Sequence, residues 1–531
     1  MLSMPRLLAR SALALVAVAF AVAVHAQSPL RLGAFEFPTS ARSQEAQQHF
    51  LRGVAALHSF WYPVARDAFQ QAANAEPGFA MAHWGEAMTH DHPVWGDPQA
   101  TEAGRAALAR IDDRADITPR ERAYIDAVRL LYGEGDKRAR DRAYAQAMQR
   151  LHERFPKDAE ATLFYALALL GSGDVQARLR AGAIAHKVFE AHPNHPGAAH
   201  YTIHAYDDPK HARLALPAAR RYADVAPDSA HALHMPSHVF LQLGMWPEAA
   251  RSNERAWQAS LSWVRDHAGN AHTLDIHSLH WLLYAYLQQG RYEQAASLVE
   301  TMRETLSKYP QSDPQMLAFA AWTQAAMAAT WLIETEQWQH AADVLRGPQE
   351  VQGPQAFVAL AGSPATFARG MAAANTGAAQ EARDAAEELR GLRTPPQAQN
   401  VPYIAAILSA ARIQARMIDA AVAAHQKDFP RALEAARDAV ASTERRPPPV
   451  GPPQLIKPPH ELLADILLAA GEEEPAQQNY RTALARHENR ARSLLGAARA
   501  AAANGDARRA RQLYANLERQ WKGADAALPP L

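Results

Sequence analysis

From about Ser40 to Lys522 the apolar positions recur every three to four residues, in runs rich in Ala, Leu, Arg and Glu. That period is the mark of amphipathic helices packed on one face. Alternating Val/Ile/Thr runs, which would announce half-buried strands, do not occur. The pattern predicts an all-α chain.

The helical runs are punctuated in a repeated way. "GMWPEAARSNERAW" places Gly244, Trp246, Ala249 and Ala256, and "GRYEQAASLVETM" places Gly290, Tyr292 and Ala295. "GEEEPAQQNYRTAL" places Gly471, Ala476, Tyr480 and Ala483, and "WYPVARDAFQQAANAEP" places Tyr62, Ala65, Phe69, Ala72 and Pro77. Gly471 and Gly505 are 34 residues apart, as are Pro193 and Pro227. Each position has a physical reason. Gly permits a tight turn between helices, Ala lets their backbones approach, aromatics fill the space between hairpins, and Pro ends a helix.

A 34-residue helix–turn–helix unit with these marks resembles the tetratricopeptide repeat (TPR) family. The resemblance implies an α-solenoid, a right-handed superhelix of helical hairpins whose first helices line an inner groove. It covers most of the chain, with degenerate repeats and insertions near residues 91–140 and 258–275. "RRPPPVGPPQLIKPP" (Arg445–Pro459) reads as a long loop between repeats, since repeat signatures flank it closely. Three further stretches, "ALHSFWYPVARDAFQQAANAEPGFAMAHWGEAMTHDHPVW", "HMPSHVF" and "HSLHWLLYAYLQQGRY", together resemble one bacterial group of exported TPR proteins.

The N-terminus adds a destination. Arg6 and Arg10 precede the apolar run "SALALVAVAFAVAV", which ends in "AVHAQ" with Val24 and Ala26 before the cut. This is the layout of a secretory signal over 1–26. The mature chain is expected to be exported, periplasmic or secreted. No later segment has 18 uninterrupted apolar residues, so no membrane span is expected after cleavage. The mature chain divides into two TPR-like halves, 27–309 and 310–531.

Lys+Arg and Asp+Glu are 55 each, so no overall field attracts nucleic acid or an anionic membrane. Cysteine is absent, which excludes disulfides, thiolate ligands and cysteine nucleophiles.

Histidine changes the picture most. Of 24 histidines, 20 lie at or before His280. In the 34-residue register His200 matches His234, and His204 matches His238. Each pair is four apart on one helix, so its side chains share a face. Aligning Gly244 with Gly290 matches His231 to His277 and His234 to His280, while Tyr284 takes the place of His238. The TPR resemblance implies that these places face the groove. Neutral imidazoles from adjacent helices can then converge on a transition metal, and without thiolates zinc or copper would be held by nitrogen and oxygen alone. The candidate ligands are His200, His204, His234, His238, His277 and His280, with His231 beside them. Two other readings stay open: a polar groove that takes a peptide or envelope protein partner, and histidines that merely satisfy core hydrogen bonds.

Pro236 lies between His234 and His238. It predicts either a helix start near Met235 or a kink between the two histidines. His58 is placed to reach the same groove. Asp207 and Asp208 offer carboxylates behind the histidines, or a turn. His90, Asp91 and His92 read as loop, His192 and His195 as inter-repeat loop, and Glu461, after His460, as solvated or groove-lining. No H-E-x-x-H, Gly-x-Ser-x-Gly or P-loop pattern is present, so the common catalytic chemistries are unsupported.

Overall fold

The computed structural model describes residues 30–95, 99–112, 116–267, 269, 273–309, 314–347, 355–395 and 402–531. The expected signal segment, and residue 310 as the expected start of the second half, lie outside these. Among the described residues every regular element is a helix, and Arg31–Leu531 form one compact unit. Most helices pack on a near neighbour along the chain, from Gln44–His58 on Tyr62–Ala75 through Ala491–Ala503 on Ala507–Gln520. This succession of hairpins is a TPR-like α-solenoid.

The repeat residues fall where the physics asks. Ala65, Ala72, Ala249, Ala256, Ala295, Ala476 and Ala483 are at most 1% exposed, which leaves no room for a larger side chain between helix backbones. Phe69, Trp246 and Tyr480 are equally buried. Gly244 and Gly290 adopt φ of 59° and 69°, the left-handed turn that an L-residue resists. They carry a second constraint. A Cβ on Gly244 would lie 2.5 Å from the Glu488 carbonyl, and one on Gly290 would lie 2.6 Å from the Trp521 ring.

Those contacts show that the C-terminal hairpins lie against the middle of the solenoid. Trp246 Nε1 donates to the Asn489 carbonyl at 2.9 Å, and Trp521 Nε1 donates to the Gln288 carbonyl at 3.1 Å. The Ala526 amide donates to the Gly290 carbonyl at 3.1 Å. The proline-rich stretch is a loop, as the flanking repeats implied, and it also reaches the middle. The Pro449 carbonyl accepts from Gln242 Nε2 at 2.8 Å, and Gly451 lies against Trp281.

One described helix, Met316–Thr335, is long and apolar enough to cross a membrane, and most of it is buried inside the protein. At the other end, residues 31–38 are extended and bury Leu32 and Phe37. Phe37 joins an aromatic core with Phe50, Trp84 and Tyr124.

Candidate metal centre

Pro236 interrupts the helix that carries the central histidines. One segment runs Ala230–His234 and the next Pro236–Gln242, with Met235 at φ −52°, ψ −36° between them. The His238 amide bonds the Met235 carbonyl three residues back, the tighter 3₁₀ step expected where a proline removes a helical donor. Ser252 Oγ caps the Leu233 carbonyl at 2.6 Å. Of the two outcomes read from the sequence, the helix start near Met235 is the one seen, with Pro236 as the first residue of the second segment.

The histidines gather in two groups of three. His200, His204 and His231 bring their ligand nitrogens within 4.8 Å of one another, and so do His234, His238 and His277. Both groups obey one rule of register. A pair four residues apart on the first helix of one repeat meets a single histidine from the first helix of the next. His280 stands outside both groups, with its ring facing Trp322 at 6.1 Å between centroids. Burial pushes its imidazole down to about 4.

Within each group two Nε2 atoms face each other at 3.1 Å: His200 with His231, and His234 with His238. The opposite ring nitrogens reveal the tautomers. His200 Nδ1 lies 2.6 Å from the His58 backbone carbonyl, and His238 Nδ1 lies 2.6 Å from Asp207 Oδ2. His234 Nδ1 lies 2.6 Å from Asn253 Oδ1. The Asn253 amide is oriented by its own Nδ2, which donates to the Ala249 carbonyl at 2.8 Å. A carbonyl or carboxylate oxygen only accepts, so all three Nδ1 atoms carry the proton. His200 and His234, held neutral by burial, therefore present Nε2 lone pairs inward, and His238 Nε2 faces that of His234. A lone pair on His234 thus faces His238 Nε2 at 3.1 Å, a place where the two rings can share a proton or a metal ion.

Two imidazoles on a tetrahedral ion at 2.0–2.1 Å would have their nitrogens about 3.3 Å apart, close to the separation seen. His204 Nε2 is also buried and has no hydrogen-bond partner. Burial holds His204, His231 and His234 well below the ordinary imidazole range, with neighbouring imidazoles adding to it. Burial likewise pushes His200 down to about 3. The rings are neutral, the form that ligates metal. His200 and His234 are fully buried, and His277 is exposed, leaving one side of its group open.

Aromatic walls surround the cluster. Phe60 stacks on His204 and His231, and Trp95 sets its edge to His231. Trp281 lies 4.2 Å from the His238 ring and 5.0 Å from that of His234.

The other candidates sort by their contacts. Asp207 takes the role of carboxylate behind a histidine, while Asp208 binds Arg178 at 2.7 Å and His211 at 2.8 Å in a helix-start turn. Asp91 pairs with Lys137 at 3.0 Å, and His92 stacks on Tyr62. His58 turns its ring away from the two groups. Its Nε2 and that of His195 each lie 2.7 Å from Glu160, and its Nδ1 meets the Tyr201 hydroxyl at 2.8 Å. Burial alone would raise Glu160, but the two imidazoles hold it down at about 2. His195 is thus a buried hydrogen-bonding residue at a helix start, not a plain loop histidine, because the turn before Pro196 lies under the extended N-terminal segment. Glu461 is corrected outright: it is 1% exposed and bound to Arg490, because the C-terminal hairpins pack face to face with the middle ones.

Asn253 and Glu160 escaped the sequence reading. Neither lies in the histidine register, and each reaches its partner only across a helix–helix contact. The placement of Asn253 on the second helix of the same hairpin was the one available signal.

No protein-family model and no curated protein sequence matches the chain. Similar solved structures include the human IFIT1 dimer with PPP-AAAA, at TM-score 0.37 and 12% identity over 90% of this chain and 91% of that one. Another is a signal transduction ATPase with a tetratricopeptide repeat sensor from Pyrococcus horikoshii, at 0.34 and 12% over 89% and 72%. A third is the P58(IPK) TPR domain, at 0.22 and 14% over 87% and 98%. What those proteins bind stays with them, and the architecture rests on this chain's own succession of hairpins. The fold defines the chain as a TPR-like α-solenoid.

Proposed function

We propose that this protein is an exported solenoid that binds zinc or copper through the two three-histidine groups. The observation that carries the reading is the 3.1 Å approach of His234 Nε2 and His238 Nε2, each ring held by an acceptor on its far side. Acceptors of that kind orient a ring and raise its basicity toward a metal. A histidine that merely satisfies the core would have each nitrogen matched to a complementary partner.

Three protein ligands with one side open is the arrangement of metal sites that admit water or substrate. Such an ion polarises a bound oxygen and can supply hydrolytic or oxidative chemistry. The absence of cysteine suits an exported site, since no thiol competes for the metal or oxidises. The segment 1–26 supports export through its basic start and apolar run.

Elemental analysis of the purified mature chain tests the reading. Wild type loaded with zinc or copper and then dialysed should retain stoichiometric metal. His234→Ala and His238→Ala should each lower the retained amount. Wild type that keeps no metal overturns the reading and leaves a protein-binding groove.

A further inference from the structure

The two histidine groups have no packing boundary between them. Within groups the ring centroids lie 4.7 Å (His200–His204), 4.9 Å (His200–His231), 5.0 Å (His234–His238) and 4.7 Å (His234–His277) apart. Across groups, His204 and His238 are 5.9 Å apart, and His231 and His234 are 6.2 Å apart. The wider pairs inside the groups, His204–His231 at 6.3 Å and His238–His277 at 6.4 Å, are no closer than these. Six rings thus form one continuous shell, contributed by three successive repeats.

We infer that the shell is a single dinuclear centre, with three imidazoles for each ion and a water-derived oxygen bridging the two. The inference rests on the metal-binding reading above. Two-metal sites that share an oxygen ligand hold their ions about 3.5–4 Å apart, a spacing that rings in contact across the group boundary permit. His204 Nε2 is buried without a hydrogen-bond partner, and the His204 ring lies 5.9 Å from that of His238, so an ion held by the first group lies near the second.

Charge favours the bridge. Six imidazole ligands bring two divalent ions no negative charge. The nearby carboxylates are already taken. Asp207 receives His238 and Gln242, and Asp275 accepts from the Ser278 amide at 3.0 Å at a helix start. Bound cations strongly acidify coordinated water, so a hydroxide between the ions supplies the missing negative charge. The proton it sheds leaves through the open side at His277.

The test uses the full mature chain and copper(II) alone. Copper per chain is measured by elemental analysis. The spin count is taken from the same sample by electron paramagnetic resonance, with an X-ray absorption edge establishing the copper(II) state. The expected result is two coppers per chain with a spin signal far below two, because a bridging oxygen couples the spins. His204→Ala and His277→Ala should each drop the content to one copper and restore one full spin. Two coppers with two full spins, or saturation at one copper, overturns the dinuclear centre and leaves metal binding intact. No retained copper or zinc overturns both.

Discussion

His238 and Tyr284 occupy the same place in successive repeats, yet they belong to opposite kinds of buried polar cluster. Tyr284 stands in a charge cluster built around Arg490, which is fully buried. The Arg490 guanidinium donates to Glu461 at 2.7 and 3.1 Å and to the Tyr284 hydroxyl at 3.1 Å, and it also meets Glu334. Lys457 lies 3.4 Å from Glu461, and Gln288 Nε2 lies 3.2 Å from Glu334. Two cations face two carboxylates and the donors find acceptors. The histidine cluster, open at His277, brings ring nitrogens together in pairs and leaves His204 Nε2 without a partner. Burial of polar groups therefore does not distinguish a ligand site from a brace. The matching of donors to acceptors does.

The largest expected effect breaks the brace. Arg490→Ala leaves Glu461 and Glu334 buried without their main partner and should cost about 3–5 kcal/mol, read from thermal or urea unfolding. The metal retained per folded molecule should be unchanged, and a loss of metal at constant folding would erase the distinction between the clusters. The next effect fills the histidine cluster. Metal at about a hundredfold above its Kd should stabilise the wild type by about 2.7 kcal/mol. A chelator should reverse the gain in Tm, and His234→Ala with His238→Ala should greatly reduce it. A metal-induced rise in Tm that survives the double substitution would place the ion elsewhere.

A smaller effect tests orientation rather than ligation. Asp207→Ala removes the acceptor behind His238 and should weaken metal affinity about 10–100-fold in a competition titration, without lowering the saturating stoichiometry. Unchanged affinity would make Asp207 a structural partner only. The smallest effect concerns the brace again. Burial pushes His487 down to about 3, with Arg490 and Arg486 adding to it. A histidine lowered in the folded state contributes stability that is full above its unfolded value near 6.5 and is lost as pH falls from there toward 3. The loss should be at most about 1.4 kcal/mol per pH unit. Replacing His487 with Gln should flatten that part of the stability–pH curve, and an unchanged slope would show that other groups set it.

Much of this is legible in the order of residues alone. The spacing of 34 between His200 and His234 and between His204 and His238 reflects a repeating helix face, and side chains at i and i+4 must share it. The helix break at Pro236 follows from the missing amide hydrogen of proline. Local rules of this kind survive folding because they concern neighbours along one helix. His280 shows their limit. It satisfies the register, but its group lacks the second member, since Tyr284 replaces the histidine one turn on.

By itself the sequence determined the all-α repeat architecture, the turn glycines and the ladder of histidines, because each is written within one helix or in the period of one helical hairpin. Only the tertiary structure decided that the ladder divides as three and three, that Asn253, Asp207 and the His58 carbonyl set the tautomers, and that Glu461 is buried by Arg490. Those outcomes depend on which helix meets which across tens or hundreds of residues. Arg490 lies 156 residues from Glu334, and His58 lies 142 residues from His200. No local period encodes such meetings. They arise when the hairpins stack and the C-terminal ones pack against the middle.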